Sequence, residues 1–497
     1  MIKKLLIANR GEIAVRVIRS AREMGIAIVA VFSEPDRLSP HVLMADEAFA
    51  LPGKSSQETY LDLGKILKIA KKSGADAIHP GYGFLSENAD FVKAVKEAGI
   101  IFVGPAPEAI EIMGDKTAAR QTVSRYDVPL IPGLKKPITE IAQAIKSAGQ
   151  IGYPILVKAA GGGGGKGMHL VREANGLEQA VRQAQREAKS AFGDDRVYLE
   201  KYVDNPHHIE IQILADKYGH IIHLNERECS IQRRYQKIIE ETPSPLLTPE
   251  MRKRMGEAAV LVARSCQYEG AGTVEFLADE LGHFYFLEMN TRLQVEHPVT
   301  EMVSGIDLVK MQLLIAAGER LPLNQEDIQP RGHAIEARIY AEDPGNDFAP
   351  CTGIIEELWI PDGPGIRFDG GIRQKLAVSP YYDPMLGKLI AWDADRKSAI
   401  ARLDRALSEF LIAGIDTSIP FCRAVLRHRE FQEGRYDTQF LEKHLDSLLA
   451  KPDNRNSQNI AAIAASVIET KSRHFLNAID RPKQRNNSKW RRSGRTN

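Results

Sequence analysis

Tyr153-Pro-Ile-Leu-Val-Lys158-Ala-Ala160-Gly161-Gly-Gly-Gly-Gly165-Lys166-Gly167-Met168-His-Leu-Val171 sets five consecutive glycines and a Lys-Gly between two apolar, strand-like runs. Without a Cβ these residues reach positive φ freely, and their backbone N–H groups can fold around phosphate oxygens. A P-loop requires G-x-x-x-x-G-K-[ST]; here Ala160 stands five before Gly165 and Gly167 follows Lys166, so no hydroxyl is supplied for magnesium. Gly162, Gly164 and Gly167 satisfy G-x-G-x-x-G, but Met168–Val171 continues as a strand where a dinucleotide fold needs a helix N-terminus. What remains is a hairpin tip able to close over a triphosphate, with Lys158 on the entering strand. Strands on both sides argue against a structureless glycine linker.

Downstream, Thr273-Val-Glu275-Phe-Leu277 and Phe284-Tyr-Phe-Leu-Glu288-Met-Asn290 flank a turn-like Asp279-Glu-Leu-Gly282. With residues 280–283 as the loop of a hairpin, 279 pairs with 284, 277 with 286, and Glu275 falls opposite Glu288. Like charges opposed across a ladder destabilise it unless a cation intervenes. Two carboxylates with Asn290 one alternation further on suit Mg²⁺, which prefers oxygen ligands shared with substrate phosphates. Asn290-Thr-Arg292-Leu-Gln294-Val295-Glu296-His297 then crowds polar groups directly after a strand, as a substrate shell does and a core edge does not.

Upstream, residues 1 to about 104 alternate strand and helix signals: Lys3–Ala8, a helix from Ile13 to Gly25, Ile26–Phe32, a helix from Leu63 to Gly74, Ala75–Ile78, a helix from Phe91 to Gly99, and Ile100–Val103. That alternation predicts a doubly wound parallel sheet with ligand-facing loops beyond its strand ends, namely Asn9–Glu12 and His79–Asn88. Residues 115–330 mix strands with helices such as Pro249–Cys266 and read as an α+β layer. A Pro/Gly-bearing link, 320–332, leads to short strands, turns and helices around 395–411 and 418–427.

The length, 497 residues, fits about three domains. A 43% apolar and 26% charged composition excludes a disordered or collagen-like chain, and a net charge of +1 gives no general reason to seek nucleic acid or an anionic membrane. No run approaches the roughly 18 apolar residues of a membrane helix. Cys229, Cys266, Cys351 and Cys422 lie far apart, which fits a reducing compartment, the cytoplasm. Nine Lys and Arg side chains between Lys471 and Asn497 face Asp480 alone, as in a basic arm.

Over residues 2 to about 445 the chain resembles the biotin carboxylases of the ATP-grasp superfamily. The resemblance is carried by Ala8–Ala14, His79–Asn88, the glycine loop, Glu288–Glu301 and Arg331–Arg338. It implies an N-terminal domain (1–114), an ATP-grasp domain (115–330) with a mobile lid at about 131–204 and a mixed α+β C-terminal domain (331–445); beyond the resemblance, the composition of residues 446–497 reads as a basic, disordered tail. It further implies ATP- and bicarbonate-dependent carboxylation of biotin through carboxyphosphate, with Mg²⁺ or Mn²⁺. Lys116, Lys158, Gly163, Gly164, Gly165, Lys166, Gly167 and Met168 would hold the triphosphate. Glu200, Lys201 and Val203 would form the adenine hinge, His208 and Gln232 the ribose side, and Leu277 would complete the ATP site. Glu275, Glu288 and Asn290 match the metal site. Bicarbonate would sit among Lys237, Arg292, Gln294 and the Val295 amide, with Glu296 as its base. Arg338 would stabilise the biotin enolate, while Tyr82 and Gly83 match the biotin-side loop.

Each position has a plainer competitor. Lys116 and Lys201 could be solvated lysines, His79, His297 and His333 structural hydrogen-bonders, Cys229 a small buried thiol, and Arg19 with Glu23 a local i,i+4 pair rather than part of a homodimer contact. Tyr235 stands where relatives often carry His. No Ala-Met-Lys-Met occurs in the chain, so the expected partners are a separate biotin carboxyl carrier protein and carboxyltransferase subunits, with no membrane and no nucleic acid. Two other readings stay open: another ATP-grasp ligase with an amine acceptor, and a nucleotide-dependent regulatory or nucleic-acid-binding protein using the arm with Trp490.

Overall fold

Five short parallel strands open the chain: β1 (Lys4–Ile7), β2 (Ala27–Phe32), β3 (Glu47–Ala50), β4 (Ala77–His79) and β5 (Ile101–Phe102). They lie in the order β3-β2-β1-β4-β5, the doubly wound arrangement expected. The edge strand β3 was not anticipated; its Glu47-Ala-Phe-Ala50 is mostly exposed and lacks an apolar run. The helices between obey ordinary end signals. Asp62 accepts from the Lys65 amide at the start of Leu63–Ser73, and Gly74 ends that helix at φ +67°.

The computed structural model describes residues 2–134, 137–159, 168–192, 195–234 and 236–450; residues up to Leu448 gather in one compact unit. Gly161–Gly167 with Lys166, Tyr235 and the basic arm with Trp490 lie outside the described residues. The expected tail start at 446 falls inside a helix, Phe440–Leu449, whose Leu441 and Leu448 are buried.

Around the glycine stretch, β6 (Ile155–Ala159), β7 (Met168–Val171) and β8 (Val197–Lys201) form a three-stranded antiparallel sheet in the order β7-β6-β8. Lys158 pairs with Met168, so the two strands that flank the glycines in sequence are antiparallel neighbours. This sheet has its own core, in which Val157 and Leu199 meet Ala148 and Val181 of the helices Ile141–Ile151 and Leu177–Phe192.

A larger sheet combines β9 (His207–Ala215), β10 (Ile221–Arg233), β11 (Gln236–Thr242), β12 (Gly270–Ala278), β13 (Phe284–Asn290), β14 (His333–Tyr340), β15 (Ile366–Gly370) and β16 (Met385–Asp393). Its order is β13-β12-β9-β10-β11-β14-β16-β15, and every pairing is antiparallel. The sheet continues across residue 331, from β11 directly to β14. Strands β10 and β11 were not expected from the sequence, because Glu226-Arg227-Glu228 interrupts the apolar alternation; those charges are buried and paired within the fold.

The β12–β13 hairpin corrects one reading. Ala278 pairs with Phe284, Leu277 with Tyr285 and Phe276 with Phe286, one residue off the expected register, because Asp279–His283 forms a tighter turn closed by the Asp279 amide on the His283 carbonyl (3.0 Å). A β-bulge at Leu287 then takes up one residue and restores Glu275 opposite Glu288.

Candidate active site

Adjacent strands bring a row of charges into register: Glu288 on β13 opposes Glu275 on β12, which opposes Glu210 on β9, which opposes Arg227 on β10. Opposed residues share a face of the sheet, so three carboxylates stand side by side. Cations from elsewhere compensate them. Arg227, fully buried, pairs with Glu210 and donates to Gln212 Oε1 (2.7 Å). Lys237 on β11 reaches in and donates to Glu210 (2.7 Å), Glu275 (3.1 Å), Gln294 (3.3 Å) and Glu296 (2.6 Å). Burial alone would lower the Lys237 pKa, but the three glutamates hold it well above that of an ordinary lysine.

Glu296 sits where β13 gives way to the helix His297–Ser304, with one carboxylate oxygen on Lys237 and the other 3.0 Å from Arg338 Nη2. Burial opposes its ionisation, yet Lys237, Arg338 and Arg227 together depress its pKa strongly. Arg338 on β14 also donates from Nε to Glu240 of β11 (2.6 Å). Glu275 is likewise held well below the carboxylate range, against its burial, by Lys237, by His208 2.9 Å away and by the Gln294 amide (3.0 Å). Asn290 bridges, its Nδ2 donating to Glu275 (2.9 Å) while its Oδ1 accepts from Arg292 (3.0 Å). Glu288 is partly exposed, with Lys116 Nζ 3.5 Å away. This oxygen-rich pair, one member buried and one open, fits the donor chemistry of Mg²⁺.

The other expected residues fall around this row. Glu200 on β8 carries two cations, Lys158 and Arg120, the latter from the helix Lys116–Val123. Lys201 is not a solvated lysine: its Nζ donates to the carbonyls of Gly152 (3.1 Å) and Tyr153 (2.6 Å), and its amide to Pro132 (2.7 Å). Val203 follows that strand. Gln232 pairs across the ladder with Lys237, Leu277 with His208, and Met168 with Lys158. Arg292 Nε donates to Glu87 (2.8 Å), and the Val295 carbonyl accepts from Lys388 (2.7 Å).

Tyr82 and Gly83 lie in the loop after β4, drawn to the loop after β1 by Asn9, whose Nδ2 donates to the carbonyls of Pro80 (2.7 Å) and Tyr82 (2.8 Å). Gly81, at φ +63°, packs so closely that a Cβ there would lie 2.8 Å from Asn9 Nδ2.

Several of these groups escaped the sequence reading. Glu12 and Glu87 lay inside the quoted loops. Glu210 showed only as part of the alternation His208, Glu210, Gln212 in an apolar strand, and Glu240, Arg120 and Lys388 carried no motif. Of the plainer readings, Cys229 is a buried thiol whose pKa burial pushes well up. Arg19 and Glu23 do not pair with each other: Arg19 lies 3.9 Å from Asp369, and Glu23 binds Lys310.

Residues 1–110 match the biotin carboxylase N-terminal domain, 115–324 the ATP-binding domain of the carbamoyl-phosphate synthase L chain, and 336–443 the biotin carboxylase C-terminal domain. Biotin carboxylase 1 of Bacillus subtilis is 52% identical over 445 residues, covering 89% of this chain and 99% of that one. Among solved structures, the biotin carboxylase domain dimer of Hydrogenobacter thermophilus 2-oxoglutarate carboxylase, in complex with MgADP, ADP and bicarbonate, superposes with a TM-score of 0.83 at 47% identity, covering 91% of this chain and all of that one. The biotin carboxylase subunit of pyruvate carboxylase superposes with a TM-score of 0.84 at 47% identity, over the same shares of the two chains. With these matches spanning all three regions that build the site, the chain belongs to the biotin carboxylase family.

Proposed function

We propose that the chain catalyses ATP- and bicarbonate-dependent carboxylation of biotin, the first half-reaction of a biotin-dependent carboxylase. The single observation that carries the residue roles is the convergence of Glu210, Glu275 and Glu296 on one buried ammonium, Lys237, with Arg338 closing the far side of Glu296.

Lys116 and Lys158 bind the triphosphate, together with Gly163, Gly164, Gly165, Lys166, Gly167 and Met168. The ion pairs they make with Glu288 and Glu200 are exchanged for phosphate oxygens. Glu200, Lys201 and Val203 present the hinge, and His208, Gln232 and Leu277 line the nucleoside side. Glu275 and Glu288 would hold Mg²⁺, with Asn290 orienting Glu275; when bound, the ion would supply positive charge against that of the transferred phosphoryl group.

Bicarbonate takes its place among Lys237, Arg292, Gln294 and the Val295 amide. Glu296 is a weak base while Lys237 and Arg338 both bind it. As bicarbonate draws the Lys237 ammonium toward its own charge, the proton affinity of Glu296 rises at the moment a base is needed. Glu296 removes the bicarbonate proton, the freed oxygen attacks the γ-phosphorus, and carboxyphosphate and ADP form. Carboxyphosphate splits into CO₂ and phosphate, and the phosphate takes the ureido proton of biotin. Arg338, a fixed cation, stabilises the resulting enolate as it attacks CO₂ beside Tyr82 and Gly83.

The biotin is carried on a separate carrier protein, and the chain works as a homodimer alongside carboxyltransferase subunits. Supporting this reading, the similar structures include a biotin carboxylase subunit of pyruvate carboxylase and a biotin carboxylase domain dimer of 2-oxoglutarate carboxylase. The test is ADP release with MgATP, bicarbonate and free biotin. Glu296→Gln is expected to abolish bicarbonate-dependent ATP cleavage while ATP affinity stays within about threefold. Full turnover by that variant would remove Glu296 as the base.

A further inference from the structure

Glu240 and Glu336 face each other directly across the β11–β14 ladder, and neither side chain has any exposure. Glu240 gives one oxygen to Arg338, and its other oxygen has no partner. Both oxygens of Glu336 are buried without a hydrogen bond. An ionised carboxylate with no donor in a dry interior is far costlier than a neutral acid, and a second carboxylate opposite raises that cost.

The surrounding charges do not relieve it. Arg338 on β14, Lys388 on β16 and Lys237 on β11 supply positive charge; Glu296 adds negative charge, Lys388 is already engaged with Glu12, and Lys237 is shared with Glu210 and Glu275. Cys229 on β10, Cys422 of the helix Ile419–Arg427 and Tyr340 face the same region, and burial keeps all three neutral. Burial likewise raises Glu336 well above the carboxylate range and Glu240 to about 7; Glu240 has the Arg338 guanidinium on one oxygen whereas Glu336 has no donor on either, so the proton belongs on Glu336.

We propose that Glu336 is a neutral carboxylic acid in the working enzyme and Glu240 its ionised counterpart, so that the pair places one negative charge, not two, behind Arg338. Glu240 is then a positioning residue. It holds the guanidinium from behind, and the proton on Glu336 prevents a second anion from cancelling the positive charge that Arg338 presents on the side of Glu296. This deepens the assignment of Arg338 to the biotin enolate and rests on it for its kinetic consequence.

Two measurements on the full chain test the proposal separately. In infrared difference spectra at neutral pH, wild type minus Glu336→Gln is expected to lose the carbonyl stretch of a protonated carboxylic acid; loss of a carboxylate band instead overturns the proposal, whatever Arg338 does. In kinetics, Glu240→Gln is expected to depress biotin carboxylation about tenfold more than biotin-independent ATP cleavage, with Glu240→Asp recovering part of the difference. Equal losses in the two reactions overturn the positioning role, while the infrared result still reports the protonation state of Glu336.

Discussion

Lys237 owes its place to charge, not to hydrophobicity: it is a buried ammonium with three carboxylates within 3.1 Å. Such a cluster is stable only while its charges balance, since removing one member of a buried pair costs about 3–5 kcal/mol. The same residues can therefore exchange partners with an incoming anion at little net cost. Lys158 follows this logic on a smaller scale. Its ammonium is neutralised by Glu200, which Arg120 also holds, so a phosphate can take Lys158 without leaving Glu200 unpaired. Lys158→Gln is expected to weaken ATP binding by about ten- to a hundredfold, or about 1.4–2.7 kcal/mol. Calorimetric titration measures it, and an unchanged dissociation constant contradicts the placement at the phosphates.

At the scale of elements, the neighbours Glu240 and Glu241 on β11 point to opposite faces, one toward Arg338 and one into a structural anchor. Glu241 accepts from Arg396 (2.7 and 2.8 Å) and Tyr436 and lies 2.6 Å from His333, tying the strand to the helices that follow β16. Burial opposes its ionisation, but Arg396 and His333 bring its pKa down to about 2. A depressed carboxylate stabilises the fold above its unfolded pKa, near 4.5, and that contribution is lost as pH falls through about 2. Glu241→Gln should therefore cost on the order of 3 kcal/mol at pH 7 and progressively less below about pH 4.5, as read by urea denaturation. A cost independent of pH would show that the anchor works by packing alone.

Across the whole molecule, Lys388 binds the regions that build the site. From β16 it donates to the Val295 carbonyl and lies 3.2 Å from Glu12 of the helix Gly11–Glu23, and it has no exposure of its own. Burial raises Glu12 to about 7 despite this cation. Below that pH Glu12 is neutral in the fold and needs no partner; above it, the carboxylate does. Lys388→Met is expected to destabilise the protein by about 3–5 kcal/mol at pH 8 and by less at pH 6. It should also raise KM for bicarbonate, because the Val295 main chain loses its support. Equal destabilisation at both pH values would separate Glu12 from Lys388.

The division between what was legible and what was not follows the range of the interactions. Strand–helix alternation, the hairpin around the glycines and the opposition of Glu275 to Glu288 are set by neighbours within a few residues, and so they could be read along the chain. Even there, the tight turn and the bulge at Leu287 were invisible, since they cancel in the pairing that matters. The sequence by itself determined the fold class, the family and the residues at the head of each motif. Only the tertiary structure decided that Glu210, Glu240 and Lys388 belong to the site, because a charge inside an apolar strand looks like a break until the group that neutralises it, tens or hundreds of residues away, is laid against it; Arg120, on a helix, joined only when Glu200 was brought to it.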